Sequence, residues 1–419
     1  MQKVNNLMKV RSAFNVLDVQ ALERECHKIA DWWMAHSIDS LHGGFVGEID
    51  AKSNPVISAN KGIILNARIL WFFSEAAKEF KNARYAEVAE RAYGYLMQYF
   101  DDGIHGGVCW ELDYQGQCIN SKKQSYAQAF AIYGLSAYYR LTGDKRALAK
   151  ALHYFDLLEQ HAVDLQHGGY FEAFTQDWRP VDDMRLSDKD LNYPKSMNTH
   201  LHIIEAYTAL YAVSGKPQVA AALESLLLVF EQHIVLKPSL HLSLFQSHDW
   251  QDCSPAFSFG HDIECSWLLW EAVEVLNQPQ ISAQFRPLVL KMATVCLEQA
   301  IGERGQVCDQ LTFADQKIHQ DSFWWVQAEA IIGFLQAFQL SGLPKFKQAA
   351  EKVWQFTQEQ HIDREYGEWS WLALCDQPSK DSTYKAGFWK GPYHNGRAMM
   401  VAARLLRDME QEILHEMAK

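Results

Sequence analysis

No run of lysine or arginine in this chain is longer than two residues, and the formal net charge is -12. A binder of polyanions carries a basic stripe, so nucleic acid and anionic membrane are excluded as evident partners. No stretch of about 18 apolar residues occurs, and the first twenty residues contain no apolar segment of signal-peptide length. The eight cysteines (Cys26, Cys109, Cys118, Cys253, Cys265, Cys296, Cys308 and Cys375) form no CxxC pair. Zinc ribbons and thioredoxin motifs are thereby excluded, and the scatter suits a reducing compartment. The expected location is the cytoplasm. GxGxxG, P-loop and HExxH motifs are also missing, so nothing calls for a dinucleotide, a nucleotide or a zinc ion. No cofactor and no metal is expected.

Aromatic residues are abundant, with 14 Trp, 17 Tyr and 22 Phe. They suit a large core, or a sugar site in which apolar sugar faces stack on rings. Helix-period patterns dominate the 419 residues. Twelve candidate helices come in pairs. The first of each pair is apolar and aromatic: 20–36, 60–81, 122–142, 194–214, 258–277 and 319–341. The partners, 83–100, 145–161, 217–233, 283–301, 344–361 and 391–417, are more charged on one face. LTG, VSG and LSG end three of the apolar helices at Gly143, Gly215 and Gly342, as glycine C-caps would.

A second repeat lies between the pairs. It reads HGGF (42–45), HGGV (105–108) and HGGY (167–170), with weaker copies HLSL (241–244), ERGQ (303–306) and EYGE (365–368). The third positions fall at Gly44, Gly107, Gly169, Ser243, Gly305 and Gly367, spaced 63, 62, 74, 62 and 62. Six copies predict six like units. Alternating segments after each copy predict small hairpins in the loops. Helices apolar nearly all round need burial on both sides, and no polar end-caps are evident, so a closed ring is favoured over an open solenoid. The predicted fold is all-α, an (α/α)6 barrel of about twelve helices, forming one domain over residues 1–419.

In such a ring the pocket sits at one mouth, near the starts of the inner helices. Five segments carry groups there that a pure core would not choose. KGIILNARILWFF (61–73) places Arg68 inside an apolar helix, where it needs a carboxylate partner or a substrate. MNTHLHIIEAY (197–207) puts Asn198 and His202 on one face. SFGHDIECSWLLW (258–270) puts Glu264 within reach of His261, either to orient the imidazole or as part of a polar helix start. SFWWVQAEAIIGF (322–334) offers Trp324 and Trp325 in different directions, one towards a pocket and one towards the core. FWKGPYHNGRAMM (388–400) opens a helix after Pro392, with His394 and Asn395 in its first turn.

In this order, these strings resemble the cellobiose 2-epimerases of the N-acylglucosamine 2-epimerase superfamily. The resemblance spans residues 61 to 397 through KGIILNARILWF, NTHLH, GHDIE, WWVQAEA, GEWSW and PYHNGR. It implies an acid/base pair, His261 and His394, with Glu264 supporting His261. His202 would assist ring opening, and Arg68 and Asn198 would hold the C1 and C2 oxygens. Tyr126 would line the pocket, and Trp324 and Trp389 would stack on sugar. Ser187 and Asp190, in LSDKDLNYP, would meet the second sugar of a disaccharide. The implied partner is a small sugar, and the implied reaction interconverts glucose and mannose at a reducing end through a cis-enediolate. Two relatives of this chemistry stay open: a monosaccharide epimerase, and an aldose–ketose isomerase that returns the proton to C1. A more distant alternative is an inverting glycoside hydrolase using a carboxylate pair such as Glu264 and Glu329. The oligomeric state is not legible.

Overall fold

The computed structural model describes residues 17–377 and 383–418. Twelve helices of eight residues or more occur among them: α1 (Val19–His36), α2 (Ile63–Phe80), α3 (Ala83–Tyr95), α4 (Ser125–Thr142), α5 (Lys145–His161), α6 (Met197–Ser214), α7 (Pro217–Val229), α8 (Phe259–Leu276), α9 (Pro279–Gln299), α10 (Trp324–Ser341), α11 (Pro344–Gln360) and α12 (His394–Ala418). The even-numbered helices pack each on the next, and α12 returns to α2. That closes an inner ring of six. The odd-numbered helices back it from outside, making an (α/α)6 barrel.

Burial explains the division. Every residue of α2 from Ile63 to Ala77 is buried, as expected for a helix held between the bore and an outer layer. In α1 burial is confined mainly to Leu22, Cys26, Ile29, Ala30 and Trp33. That is one stripe at three- and four-residue spacing, and the other face meets solvent. Gly143, Gly215 and Gly342 end α4, α6 and α10 in the left-handed region, at φ of 72°, 59° and 69°. There glycine carries no Cβ penalty.

One pairing differs from the sequence reading. The segment at 20–36 is an outer helix, and 391–417 supplies the sixth inner one. α12 lies between α10 and α2 and takes α1 as its outer partner. Its first half is buried all round, while Arg404 and Asp408 reach solvent farther on. The charge of that second half is what made it look like an outer helix.

The loops contain the expected short antiparallel ribbons. Lys61–Gly62 pairs with Glu111–Leu112, which pairs with Cys118–Asn120. Each unit also closes a bridge at the HGG-type turn, through Phe45, Val108, Tyr170, Leu242, Val307 and Trp369. This sets the register of the weaker copies. The fourth falls two residues earlier than HLSL suggests, and the fifth and sixth fall one residue later. Three turns hold a buried ion pair at 2.8 Å: Lys61 with Asp39, Lys123 with Asp102, and Lys195 with Asp164. Each aspartate also accepts two backbone N–H groups of its own turn.

No helix among the described residues is long and apolar enough to cross a membrane.

Candidate active site

The lysines just named immediately precede inner helices, and counting from them aligns all six units. The starting points are Lys61, Lys123, Lys195, Phe257, Ser322 and Lys390. Five residues on stand Asn66, Gln128, His200, Asp262, Gln327 and Asn395. Four of these accept a backbone N–H from their own unit's turn: Gln128 from Val108 (2.8 Å), His200 from Tyr170 (2.9 Å), Asp262 from Leu242 (3.0 Å) and Gln327 from Val307 (2.9 Å). This layer ties each loop to its helix start.

Seven residues on stand Arg68, Phe130, His202, Glu264, Glu329 and Arg397. They meet inside the bore as a charged floor. Arg397 Nη2 donates to Glu329 (2.7 Å) and Glu264 (2.9 Å), and Nη1 pairs with Glu205 from the next turn of α6. All four are essentially sealed from solvent. Burial raises the Glu264 carboxyl well above the ordinary range, and nearby Glu329 raises it further. Burial would raise Glu205 too, but Arg397 and the hydrogen bond from His202 outweigh it and hold it at about 2.

Four residues on from the starting points, two units carry histidine: His261 and His394. The repeat therefore sets them at equivalent depth on α8 and α12, the two neighbours of α10. Trp325 of α10 lies between them, its ring 4.7 Å from His261 and 5.7 Å from His394. Burial lowers the His261 imidazole to about 3. It lowers His394 well below its usual value, and Arg68 and Arg397 push the same way. Both rings are therefore neutral at pH 7, able to accept a proton. His394 Nδ1 lies 2.6 Å from Glu329 Oε1, and His202 Nδ1 lies 3.0 Å from Glu205 Oε2. Burial raises the Glu329 carboxyl, and the charge and hydrogen bond of Arg397 oppose that rise. Against an ionised carboxylate the Nδ1–H donates, which leaves Nε2 as the free base.

The expected support of His261 by Glu264 does not occur. His261 Nδ1 makes its hydrogen bond to Ser258 Oγ at 2.8 Å, and Glu264 belongs to Arg397. Three residues of helix bring Glu264 down to the floor layer, one turn below its histidine.

Arg68 donates to the Trp389 carbonyl and to Tyr126 Oη (3.1 Å), and lies over the rings of Phe130 and Tyr393. The Tyr126 ring is 4.9 Å from His202. No carboxylate pairs with Arg68 among the described residues, and its buried Nε has no acceptor. A cleft of about 420 Å³ opens above His261 and is lined by Asn198, Asp190, Glu172 and Trp325. Asn198 Oδ1 is buried there without a donor. The Asn198 oxygen is thus a buried polar group in the cleft open to a ligand or to water. Ser187 donates to Asp190 at 2.7 Å. Trp389 packs among Trp110, Phe388 and Tyr126. Trp324, expected to stack on substrate, is 3% exposed and packs on Trp371 at 4.4 Å. It sits two residues past its unit's start, whereas Trp325 shares the third position with Tyr126 and Asn198.

Glu264, Glu329 and His394 lie close enough to be tested as metal ligands, with donor atoms within 4.8 Å of one another. Their lone pairs are already engaged: Arg397 donates to both carboxylates and Trp267 to Glu329. The guanidinium bonded to both carboxylates is the charge a cation would have to displace, so the donor set does not fit a metal.

A closed six-unit helical barrel with this titratable cluster at one mouth defines the class of protein, an (α/α)6-barrel enzyme. The chain belongs to the N-acylglucosamine 2-epimerase family, whose model matches residues 43–397. It is thereby a carbohydrate epimerase, of the isomerase class. It is 42% identical to a cellobiose 2-epimerase of Bacteroides fragilis, over 88% of this chain and 94% of that protein. A cellobiose 2-epimerase of Ruminococcus albus is 38% identical, over 86% and 92%. The structure of cellobiose 2-epimerase from Spirochaeta thermophila superposes with a TM-score of 0.85 at 37% identity, covering 93% of this chain and 97% of that one.

The alignment of the six units was the signal missed in the sequence. It would have placed Arg397 level with Arg68 on the neighbouring inner helix, set Glu329 level with Glu264, and chosen Trp325 over Trp324.

Proposed function

We propose that this single-domain barrel interconverts the reducing-end glucose and mannose of β-1,4-linked disaccharides, turning cellobiose into 4-O-β-D-glucosyl-D-mannose. The observation that carries the reading is the pair of neutral buried imidazoles, His261 and His394, at equivalent repeat positions on either side of Trp325.

The hydrogen on C2 is acidic only while C1 is a carbonyl, so the pyranose must open first. His202, with its Nδ1–H on Glu205, offers Nε2 to the anomeric hydroxyl. One of the paired histidines then takes the C2 proton, worth about 10²–10⁴-fold for a positioned base. The resulting cis-enediolate is negative. Arg68 and Asn198 are the available donors for it, and such groups contribute roughly 2.7–4 kcal/mol each. Inversion at C2 needs a proton delivered to the opposite face. The enediolate charge raises the basicity of the second histidine, which takes up a solvent proton and delivers it to C2, while the first histidine returns the proton it gained to solvent. The protein ends the cycle with the same proton count. No step calls for a metal.

Asp190 in the cleft wall, and the names of the relatives, favour a disaccharide over a free hexose. A glycoside hydrolase that inverts needs its carboxylates about 6.5–9.5 Å apart. Glu264 and Glu329 lie closer than that and are both held by Arg397.

The test is a proton NMR time course of EDTA-treated protein with cellobiose in D2O. The expected product is 4-O-glucosyl-mannose carrying deuterium at C2. Free glucose would mean hydrolysis, a ketose would mean isomerisation, and conversion of mannose alone would remove the disaccharide.

A further inference from the structure

The floor beneath the two histidines holds three carboxylates and two guanidinium groups, Arg68 and Arg397, of which only Arg397 hydrogen-bonds the carboxylates. Glu205 orients His202, Glu329 orients His394, and Glu264 touches only Arg397 by hydrogen bond. Arg397 is the group common to all three, 1% exposed, and bracketed by the rings of Tyr393 (4.1 Å) and Trp267 (4.6 Å). Its planar fork is what lets one cation serve several carboxylates at once, which a lysine cannot copy.

Consider the floor without it. Three carboxylates would share a dry site with no cation hydrogen-bonded to them, since Arg68 is engaged by Trp389 and Tyr126, and like charges at that spacing do not all stay ionised. The proton would settle where it could hydrogen-bond a neighbour. On Glu329 that neighbour is His394 Nδ1. The O–H would then donate to Nδ1, the imidazole would carry its hydrogen on Nε2, and the free base would be lost without any change of contact.

We propose that Arg397 is a positioning residue whose task is to fix the tautomers of His202 and His394, by keeping Glu205 and Glu329 as hydrogen-bond acceptors. It touches no substrate. The inference rests on the epimerase reading for its effect on turnover, but the tautomer itself is a property of the free protein.

The experiment compares wild type, Arg397→Met and Arg397→Lys. In ¹⁵N-histidine-labelled, substrate-free protein, wild type shows Nδ1–H at His394 at pH 7, assigned by loss of the signal in His394→Asn. Arg397→Met, folded by circular dichroism, shows Nε2–H. Its kcat on cellobiose falls about 10²-fold or more, the share of a positioned base, with KM little changed. Loss of the cation raises the carboxyl pKa values, so the acid limb of the kcat profile moves to higher pH. Arg397→Lys keeps a cation and restores Nδ1–H, part of kcat and the wild-type acid limb. A folded Arg397→Met with Nδ1–H and an unmoved acid limb would overturn the proposal. If the methionine variant does not fold, Arg397→Gln, which also removes the charge but keeps a hydrogen-bond donor, is read in its place: Nε2–H with an upward-moved acid limb supports the role, and Nδ1–H with an unmoved acid limb overturns it. If wild type shows no epimerase activity, the tautomer arm still tests Arg397, and it is the catalytic reading that has failed.

Discussion

The 2.6 Å contact between His394 Nδ1 and Glu329 Oε1 joins the first turn of α12 to the floor of the barrel. Glu329→Gln keeps the size but removes the charge that holds Nδ1–H. The expected result is a fall in kcat of about 10²-fold, within the range a positioned base contributes. Steady-state kinetics on cellobiose check it. Unchanged kcat would remove His394 from proton transfer.

The adjacent tryptophans should separate by type of damage. Trp325→Ala opens the wall between the two histidines, so kcat/KM falls while stability changes little. Trp324→Ala leaves a cavity beside Trp371 and costs about 3–5 kcal/mol of stability. Urea melts and kinetics on both variants distinguish them. The reverse pattern would return substrate stacking to Trp324.

Asp190→Ala should raise KM for cellobiose several-fold and leave mannose turnover alone, because the residue stands in the outer cleft wall. Ser187→Ala, which frees Asp190 from its 2.7 Å hydrogen bond, should do the same more weakly. Equal losses on both sugars would place this loop at the reacting ring instead.

Lys123→Met strands Asp102 in a dry turn. Burial opposes the Asp102 charge, and the hydrogen bonds from Lys123 and Gln176 hold its carboxyl below the usual range all the same. Removing one partner of a buried pair costs about 3–5 kcal/mol. The double variant Lys123→Met/Asp102→Asn should recover part of that. Chemical denaturation of the three proteins reads it out.

Burial lowers His361 to about 4. Its contribution is favourable above the unfolded imidazole value of about 6.5. Stability is then lost as pH falls from there towards 4, at about 1.4 kcal/mol per pH unit. Glu172 slopes the other way, because burial pushes its carboxyl to about 8. The clean quantity is therefore a difference. His361→Gln should gain on wild type as pH drops from 7 to 5, and parallel urea-derived stabilities would refute the assignment.

The barrel was legible because burial on all sides writes a continuous apolar helix, and α2, α4, α6, α8 and α10 all have one. α12 was misplaced because only its first half meets the bore. His261, His394 and Arg68 stood out as polar groups in apolar surroundings. The partners of Glu264 did not, since the contact with Arg397 crosses from α8 to α12 and leaves no trace in local spacing. Trp324 and Trp325 were told apart only by their unit register, and weak turn copies such as HLSL blurred that register.

Arg68 stands on α2 and His394 on α12, at nearly opposite ends of the polypeptide. During synthesis the chain can stack five inner helices before α12 leaves the ribosome, yet it holds neither His394 nor Arg397. The emerging barrel thus has a mouth, an aromatic wall, Arg68 and three carboxylates, but no cation paired with those carboxylates. On the proposed mechanism, docking of α12 delivers the paired cation and the second base in a single event. On that mechanism competence and topological closure are the same step, and a chain stopped before α12 is expected to be inert however well its first five units have packed.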